Sequence, residues 1–131
     1  MADRETILVI DDEPLVRDLV RDVLEGRGYF VIEARGVQEG LAAADAYAGR
    51  IALALTDFML PGMNGGALAE KLLQIQSDLR VLVTSGFNGD SLDLPSGDPE
   101  RLDFLQKPFT INALVTKIEG MLAAQPQAAA T

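Results

Sequence analysis

Short apolar runs alternate with longer segments of helical period along this chain, and the alternation limits the folds that it can adopt. The apolar runs predict strands at residues 6–11, 29–33, 51–56, 80–85 and 102–106. The segments between and after them predict helices from Pro14 to about Gly26, over residues 36–48, after Gly66 and over residues 110–123. Strands that alternate with helices in this way are typical of α/β folds, in which helices cover a parallel sheet.

Five such units in a chain of 131 residues fit one domain. They can form an open, doubly wound sheet of five parallel strands with helices on both faces. We expect the domain to cover residues 1–124 and a disordered tail to follow at residues 125–131. Glycines and prolines interrupt the helical period between residues 87 and 103: Gly89, Pro95, Gly97 and Pro99. A fourth helix in that segment is therefore predicted to be short or irregular.

Apolar residues recur at helical spacing in the first and last predicted helices. In the first helix they are Leu15, Leu19, Val23 and Leu24. In the last helix they are Ile111, Leu114, Val115, Ile118 and Leu122, which we expect to face inward. Thr110 is the expected N-cap of that last helix.

The composition excludes several classes of function. Twenty acidic against 11 basic residues give a formal net charge of −9, which argues against binding to nucleic acid or to an anionic membrane surface. The chain has no cysteine, which excludes disulfides and thiolate metal sites, and no histidine, which removes the commonest general base. No apolar run reaches the length of a transmembrane helix, so we expect a cytoplasmic location.

Polar residues stand at the predicted carboxyl ends of four strands. They are Asp11, Asp12 and Glu13 after the first strand, Asp57 after the third, Thr84 and Ser85 at the fourth, and Lys107 after the fifth. Each group alone also fits an ordinary role, such as helix capping, a strand-end hydroxyl or a solvated lysine. The carboxyl ends of parallel strands meet at one edge of the sheet, however, and this common position favours a functional site.

The chemistry of that edge follows from its charges. Three or four carboxylates in one place repel one another, so such a cluster persists mainly when a cation neutralises it, and oxygen ligands favour Mg²⁺ or a similar hard ion. A carboxylate beside such an ion can attack phosphorus and form an acyl phosphate, while a lysine and a hydroxyl bind the phosphoryl oxygens. An aspartate is already ionised at neutral pH, so this reaction needs no general base.

Four segments of the chain resemble landmarks of the response-regulator receiver domains of two-component signalling. The segments are Ile7–Pro14, Thr56–Gly65, Val81–Gly86 and Phe104–Phe109. In order and spacing they are similar to the family over roughly residues 5–123, and the last two are most like receivers of hybrid histidine kinases. The resemblance implies a flavodoxin-like (βα)5 fold with the strand order 2-1-3-4-5.

The resemblance also implies a metal site. Asp57 resembles the phosphoacceptor, which contributes to metal binding, and Asp12 resembles a direct metal ligand. Asp11 resembles an acidic partner that acts largely through metal-bound water, and the backbone carbonyl of Met59 would complete the ligands. The implied cofactor is Mg²⁺ or Mn²⁺.

The remaining landmarks resemble the family's switch residues. Ser85 resembles the switch hydroxyl, and Gly86 resembles the residue that keeps the backbone open beside the phosphoryl group. Lys107 resembles the lysine that contacts the phosphate, and the peptide bond to the proline after it is usually cis in the family. Phe104 falls where the family places an aromatic side chain that turns inward on activation.

As a member of this family the chain would accept a phosphoryl group on Asp57 from a histidine kinase or its phosphohistidine domain, and would signal to an unknown downstream protein. It would not be an enzyme beyond self-phosphorylation and slow self-dephosphorylation, and it would bind neither nucleic acid nor membrane. Both a free-standing regulator and a module of a larger kinase fit the sequence.

Two other functions remain open at this point. A phosphatase with an aspartate nucleophile also uses Mg²⁺, a hydroxyl and a lysine, but such enzymes carry a second aspartate two residues after the nucleophile, where this chain has Met59. An interaction module that works without phosphorylation would keep the pocket without using it. The chain retains all the carboxylates, the hydroxyl and the lysine of the pocket, which favours the phosphoacceptor.

Overall fold

The computed structural model describes residues 5–47, 50–75, 79–86 and 101–123. Its five strands are β1 (Thr6–Ile10), β2 (Phe30–Ala34), β3 (Leu53–Asp57), β4 (Arg80–Ser85) and β5 (Leu102–Gln106). Its helices within these residues are α1 (Pro14–Gly26), α2 (Val37–Ala46), α3 (Gly65–Ile75) and α4 (Ile111–Ala123). The five predicted strands and the four helices predicted within these residues are present, and their ends differ from the predicted ends by one or a few residues.

The strands form one parallel sheet in the order β2-β1-β3-β4-β5, which confirms the predicted architecture. All five residues of β1 and all six residues of β4 are buried, whereas β2 and β5 at the edges are more exposed. A parallel sheet covered by helices on both faces needs such continuous apolar runs in its central strands. The sequence shows the runs because the fold buries both faces of those strands.

Two hydrophobic clusters lie on opposite faces of the sheet. One contains buried residues of α2 and α3, among them Val37, Ala44, Leu68 and Leu72. The other contains buried residues of α1 and α4, among them Val20, Leu24, Leu114 and Ile118. Side chains alternate between the two faces of a strand, so Leu8 and Ile10 contribute to the first cluster and Ile7 and Val9 to the second.

The buried face of α1 agrees only in part with the apolar series picked out in the sequence, of which Leu24 is buried. Val20 and Leu24 are buried, whereas Leu15 is 84% exposed and Leu19 is 53% exposed. The helix carries two overlapping series of apolar residues at a spacing of four, and only one of them meets the sheet. In α4, Ile111 is likewise 38% exposed and does not face inward as predicted, while the other four apolar residues of the series are buried.

The N-cap of α4 agrees with the prediction, because Oγ1 of Thr110 accepts a hydrogen bond from the N–H of Ala113 at 3.0 Å. The predicted irregular segment falls largely on residues 87–100 and the predicted tail on residues 125–131, and both ranges lie outside the described residues. Within the part of the chain that the structure describes, no helix is both long and apolar enough to cross a membrane.

Candidate phosphoacceptor site

The register of the sheet brings the carboxyl ends of four strands together. Ile10 of β1 pairs with Thr56 of β3, so the next residue in each strand direction is an aspartate, Asp11 and Asp57. On the other side of β3, Asp57 pairs with Thr84 of β4. Strand β3 is therefore flanked at its acidic end by an acidic residue on one side and a hydroxyl residue on the other.

The carboxylate of Asp57 lies at the centre of this edge. Lys107 Nζ donates to its Oδ2 at 3.0 Å, and the N–H of Met59 donates to its Oδ1 at 3.2 Å. Only 13% of the Asp57 side chain is exposed, against 32% for that of Lys107. The lysine thus provides a counter-charge for a carboxylate that is largely buried but still partly exposed to solvent.

Ser85 and Lys107 are linked through the backbone. The N–H of Lys107 donates to the carbonyl oxygen of Ser85 at 2.6 Å, which holds the end of β5 against the end of β4. Ser85 is fully buried. The space beside the next residue is open, because a Cβ added to Gly86 would have no atom within 4 Å. The peptide bond between Lys107 and Pro108 is cis, as the resemblance implied.

Asp11 and Asp12 differ in their surroundings. Asp11 is 7% exposed and Asp12 is exposed. Burial is the largest cause that raises the pKa of Asp11, and the charges of Asp57 and Asp12 raise it further. The hydrogen bond from the N–H of Glu13 and the ammonium of Lys107 act in the opposite direction. Asp11 and Asp57 are thus close enough for their charges to interact unfavourably.

A divalent cation fits the donor chemistry of this edge. Among the described residues, no three acidic side chains lie close enough together to hold a metal ion. The carboxylates at this edge are therefore farther apart than the predicted cluster of three or four. The available donors are all oxygens, which hard cations prefer. A cation would also relieve the repulsion between Asp11 and Asp57 that raises the pKa of Asp11.

Phe104 stands apart from these contacts. It lies in the middle of β5 opposite Val83, it is partly buried, and its N–H donates to the carboxylate of Asp103 at 2.7 Å. The other oxygen of Asp103 accepts a hydrogen bond from Lys117 of α4 at 3.1 Å. The position of Phe104 in the sheet is therefore as expected, whereas its contribution to switching stays a prediction.

Two contacts at the site were not expected from the sequence, one made by Arg17 and one by Gly65. Arg17 of α1 donates from Nη1 to the carbonyl oxygen of Asp11 at 2.7 Å. A Cβ on Gly65 would lie 2.9 Å from the carbonyl oxygen of Asp57, so Gly65 allows the start of α3 to approach the backbone of the acceptor closely. The sequence did contain a signal for each contact. Arg17 is a basic residue one helical turn after the acidic residue Glu13, and Gly65 is a glycine at the start of a helix.

Comparison with known proteins gives a consistent family. The family model described as "Response regulator receiver domain" matches residues 7–119. Sensor kinase CckA of Brucella abortus is 30% identical over 92% of this chain, which spans only 13% of that kinase. The response regulator receiver protein CpdR of the same organism is 34% identical over 92% of this chain and 98% of its own length.

Solved structures show the same similarity. The receiver domain of hybrid histidine kinase CckA has a TM-score of 0.75 and 31% identity, with 89% of this chain and 98% of that chain covered. The response regulator TrrA of Thermotoga maritima, solved in complex with Mg²⁺ and BeF, has a TM-score of 0.72 and 25% identity over 89% of this chain and 98% of its own.

Proposed function

This chain belongs to the response regulator receiver domains of two-component signalling, and from that premise we propose that Asp57 is the residue that accepts the phosphoryl group. The family is a signalling domain and not a conventional enzyme. The contact between Lys107 Nζ and Asp57 Oδ2 at 3.0 Å carries the proposal, because it pairs a nucleophilic carboxylate with the cation suited to a phosphoryl oxygen.

The transfer follows from the arrangement of this chain's own groups. A carboxylate oxygen of Asp57 attacks phosphorus, and the bond from phosphorus to the imidazole nitrogen of the kinase histidine breaks. The imidazole leaves with the bonding electron pair and takes up a proton from solvent. Lys107 then exchanges its carboxylate partner for a phosphoryl oxygen, and the hydroxyl of Ser85 donates to another.

Mg²⁺ belongs to the same proposal. Asp12, Asp57 and the carbonyl of Met59 would hold the ion, and Asp11 would act largely through metal-bound water, as the family resemblance implies. When bound, the ion neutralises charge between the carboxylate and the phosphoryl oxygens. The complex of TrrA with Mg²⁺ and BeF supports this assignment by family likeness.

The signal is proposed to pass from Ser85 to Phe104 as a shift between two conformations of the domain. The partners are a histidine kinase or its phosphohistidine domain and a downstream protein still to be identified. The relatives include both a protein of about this length and a much larger kinase, since the chain spans 98% of CpdR and 13% of CckA. The cytoplasmic location stays a prediction.

The two alternatives have less support. Turnover by a phosphatase needs a general acid near the nucleophile, and the residue two positions after Asp57 is Met59, which cannot supply a proton. The reaction is therefore proposed to stop at the acyl phosphate, which water hydrolyses slowly. An interaction module independent of phosphorylation would not need the lysine contact to Asp57 that the site retains.

Intact-protein mass spectrometry after incubation with acetyl phosphate tests the proposal. We expect a gain of one phosphoryl group that requires Mg²⁺, disappears with EDTA and disappears in Asp57→Asn. Asp45→Asn is the matched control, since it makes the same substitution on the exposed surface of α2 and should leave the gain intact.

Two results would contradict the proposal in different ways. A phosphoryl gain in Asp57→Asn equal to that of the wild type would assign the acceptor to another residue. No gain in folded wild-type protein, together with no binding of beryllofluoride, would support the interaction module.

A further inference from the structure

Arg17 of α1 is a charged residue that the phosphoacceptor chemistry does not use, yet only 11% of its side chain is exposed. Its Nη1 donates to the carbonyl oxygen of Asp11 at 2.7 Å, and its Nε donates to Oε1 of Glu33 at 3.3 Å. Glu33 lies in β2, so one guanidinium joins α1, the end of β1 and the neighbouring strand. A planar guanidinium suits this position because its donors point in fixed directions.

The carbonyl group that Arg17 binds belongs to the peptide unit between Asp11 and Asp12. A peptide unit is planar, so this hydrogen bond fixes the Asp11 carbonyl and the Asp12 N–H together. The units on either side are also held. The N–H of Asp11 donates to the carbonyl of Ala34 at 3.1 Å, and the N–H of Glu13 donates to Oδ1 of Asp11 at 2.9 Å. Three successive peptide units are therefore fixed, and Arg17 fixes the middle one.

Glu33 holds Arg17 in place and is itself held from a second side. Its Oε1 accepts a hydrogen bond from Arg17, and its Oε2 accepts one from Nη1 of Arg21 at 3.0 Å. In the described part of the chain, the side-chain hydrogen bonds of Arg21 go to the carboxylates of Asp18, Asp22 and Glu33. Arg21 thus shares the glutamate with Arg17 but makes none of its side-chain hydrogen bonds to the acidic loop, residues 11–13.

We propose that Arg17 is a positioning residue for the divalent cation site, because it sets the orientation of the peptide between Asp11 and Asp12 before the ion binds. The inference rests on the proposed function, which assigns Mg²⁺ to these two residues. A loop that is already ordered loses less conformational freedom when the ion binds, so affinity is higher. Residues that orient metal ligands typically contribute about 10- to 100-fold to metal affinity.

Isothermal titration of metal-free protein with MgCl₂ at constant ionic strength tests this proposal. Arg17→Met keeps an apolar stem but removes every donor, and we expect its Kd for Mg²⁺ to rise about 10-fold or more. Arg21→Met is the matched control, since it removes the same charge and the other hydrogen bond to Glu33 from the same helix. Its Kd should stay within about twofold of the wild-type value, because remote surface charges are screened by salt.

Thermal unfolding of the same metal-free samples separates positioning from stability. A merely structural role of Arg17 would lower the melting temperature of Arg17→Met and leave the Kd for Mg²⁺ unchanged. Arg17→Lys provides a second variant, which keeps the charge and the apolar stem but lacks the planar fork. We expect the Kd of Arg17→Lys for Mg²⁺ to lie between those of the wild type and Arg17→Met. If Arg17→Met does not fold, the Kd of Arg17→Lys tests the proposal.

The outcomes are distinct. A wild-type Kd in the folded Arg17 variants overturns the inference, and so does an equal loss of affinity in Arg21→Met, because the effect would then belong to the whole charge network. Wild-type protein that binds no Mg²⁺ contradicts the proposed function itself, which is a separate result.

Discussion

Asp11 is a carboxyl group whose surroundings disfavour its charge. Burial is the main cause that raises its pKa above the ordinary value of 3.8, and the charges of Asp57 and Asp12 add to the rise. The native state therefore binds this proton more tightly than the unfolded chain does. In the metal-free protein, the contribution of Asp11 to the free energy of unfolding consequently falls as the pH rises from the unfolded pKa through the raised native pKa.

We expect Asp11→Asn to raise the melting temperature of the metal-free protein at neutral pH. The neutral amide avoids the cost of ionising a buried group, and its oxygen can still accept the N–H of Glu13. The gain should disappear below the unfolded pKa, where the wild-type carboxyl group is protonated in both states.

Thermal unfolding in EDTA over a pH series measures this gain. Asp45→Asn controls for the removal of one negative charge, because Asp45 is exposed on α2. A melting temperature of Asp11→Asn below that of the wild type at neutral pH would show that the buried charge stabilises the fold.

Met59 lies beside the proposed acceptor, with its N–H bonded to Asp57 Oδ1 and 59% of the residue exposed. We expect its apolar side chain to keep water from the acyl phosphate. Met59→Asn should therefore lose phosphate faster, since its amide can hydrogen-bond a water molecule near phosphorus. Met59→Leu keeps the apolar bulk and should retain the wild-type lifetime of the acyl phosphate.

Intact mass against time after removal of the phosphodonor measures this lifetime. Equal lifetimes for the wild type and Met59→Asn would count against shielding of the acyl phosphate by Met59.

At the scale of elements, the start of α3 packs closely against the end of β3. The N–H of Gly65 donates to the carbonyl of Phe58 at 2.7 Å. A Cβ on Gly65 would lie 2.6 Å from the Cα of Phe58 and 2.9 Å from the carbonyl oxygen of Asp57. Both are backbone atoms, which cannot rotate away as a side chain can. This contact therefore requires glycine, and it couples the position of α3 to that of the backbone at Asp57 and Phe58.

We expect Gly65→Ala to lower the free energy of unfolding by about 1–3 kcal/mol, as overpacked sites do, and to slow phosphorylation by displacing the backbone of Asp57. Gly120→Ala is the matched control. Gly120 lies in α4 with no atom within 4 Å of its added Cβ, so alanine should stabilise the helix by about 0.5–1 kcal/mol.

Denaturant unfolding and the rate of mass gain with acetyl phosphate measure both effects. If Gly65→Ala were as stable as the wild type, the close approach would not constrain the backbone at Asp57 and Phe58.

At the scale of the whole molecule, the net charge of −9 opposes compaction through self-repulsion. Added NaCl should therefore stabilise the protein modestly by screening, whereas Mg²⁺ should stabilise it further by binding the native state. At a Mg²⁺ concentration of 100 times Kd, the free energy of unfolding should increase by about 2.7 kcal/mol.

Denaturant unfolding in NaCl and in MgCl₂ at matched ionic strength separates the two effects. The additional stabilisation by Mg²⁺ should be lost in Asp12→Asn, which removes a proposed ligand. Equal stabilisation of the wild type by the two salts would indicate screening alone.

The sequence by itself determined the strands, their parallel arrangement and the edge of the sheet that carries the site. It could do so because strands buried on both faces need continuous apolar runs, as in β1 and β4, and because the carboxyl ends of parallel strands meet at one edge. The positions of Asp57 and Lys107 at that edge followed from order along the chain. Their contact at 3.0 Å agrees with that expectation.

Tertiary structure alone decided which face of α1 is buried and which groups hold the acidic loop. Leu15 and Leu19 have the same spacing as Val20 and Leu24, so local periodicity could not distinguish the two series, and packing on the sheet buried only the second. The buried face of a helix depends on which atoms it meets in the folded protein. The same is true of the hydrogen bond from Arg17 to Asp11 and of the close approach of Gly65 to β3, because the spacing of residues along the chain gives neither the partner nor the distance of a contact.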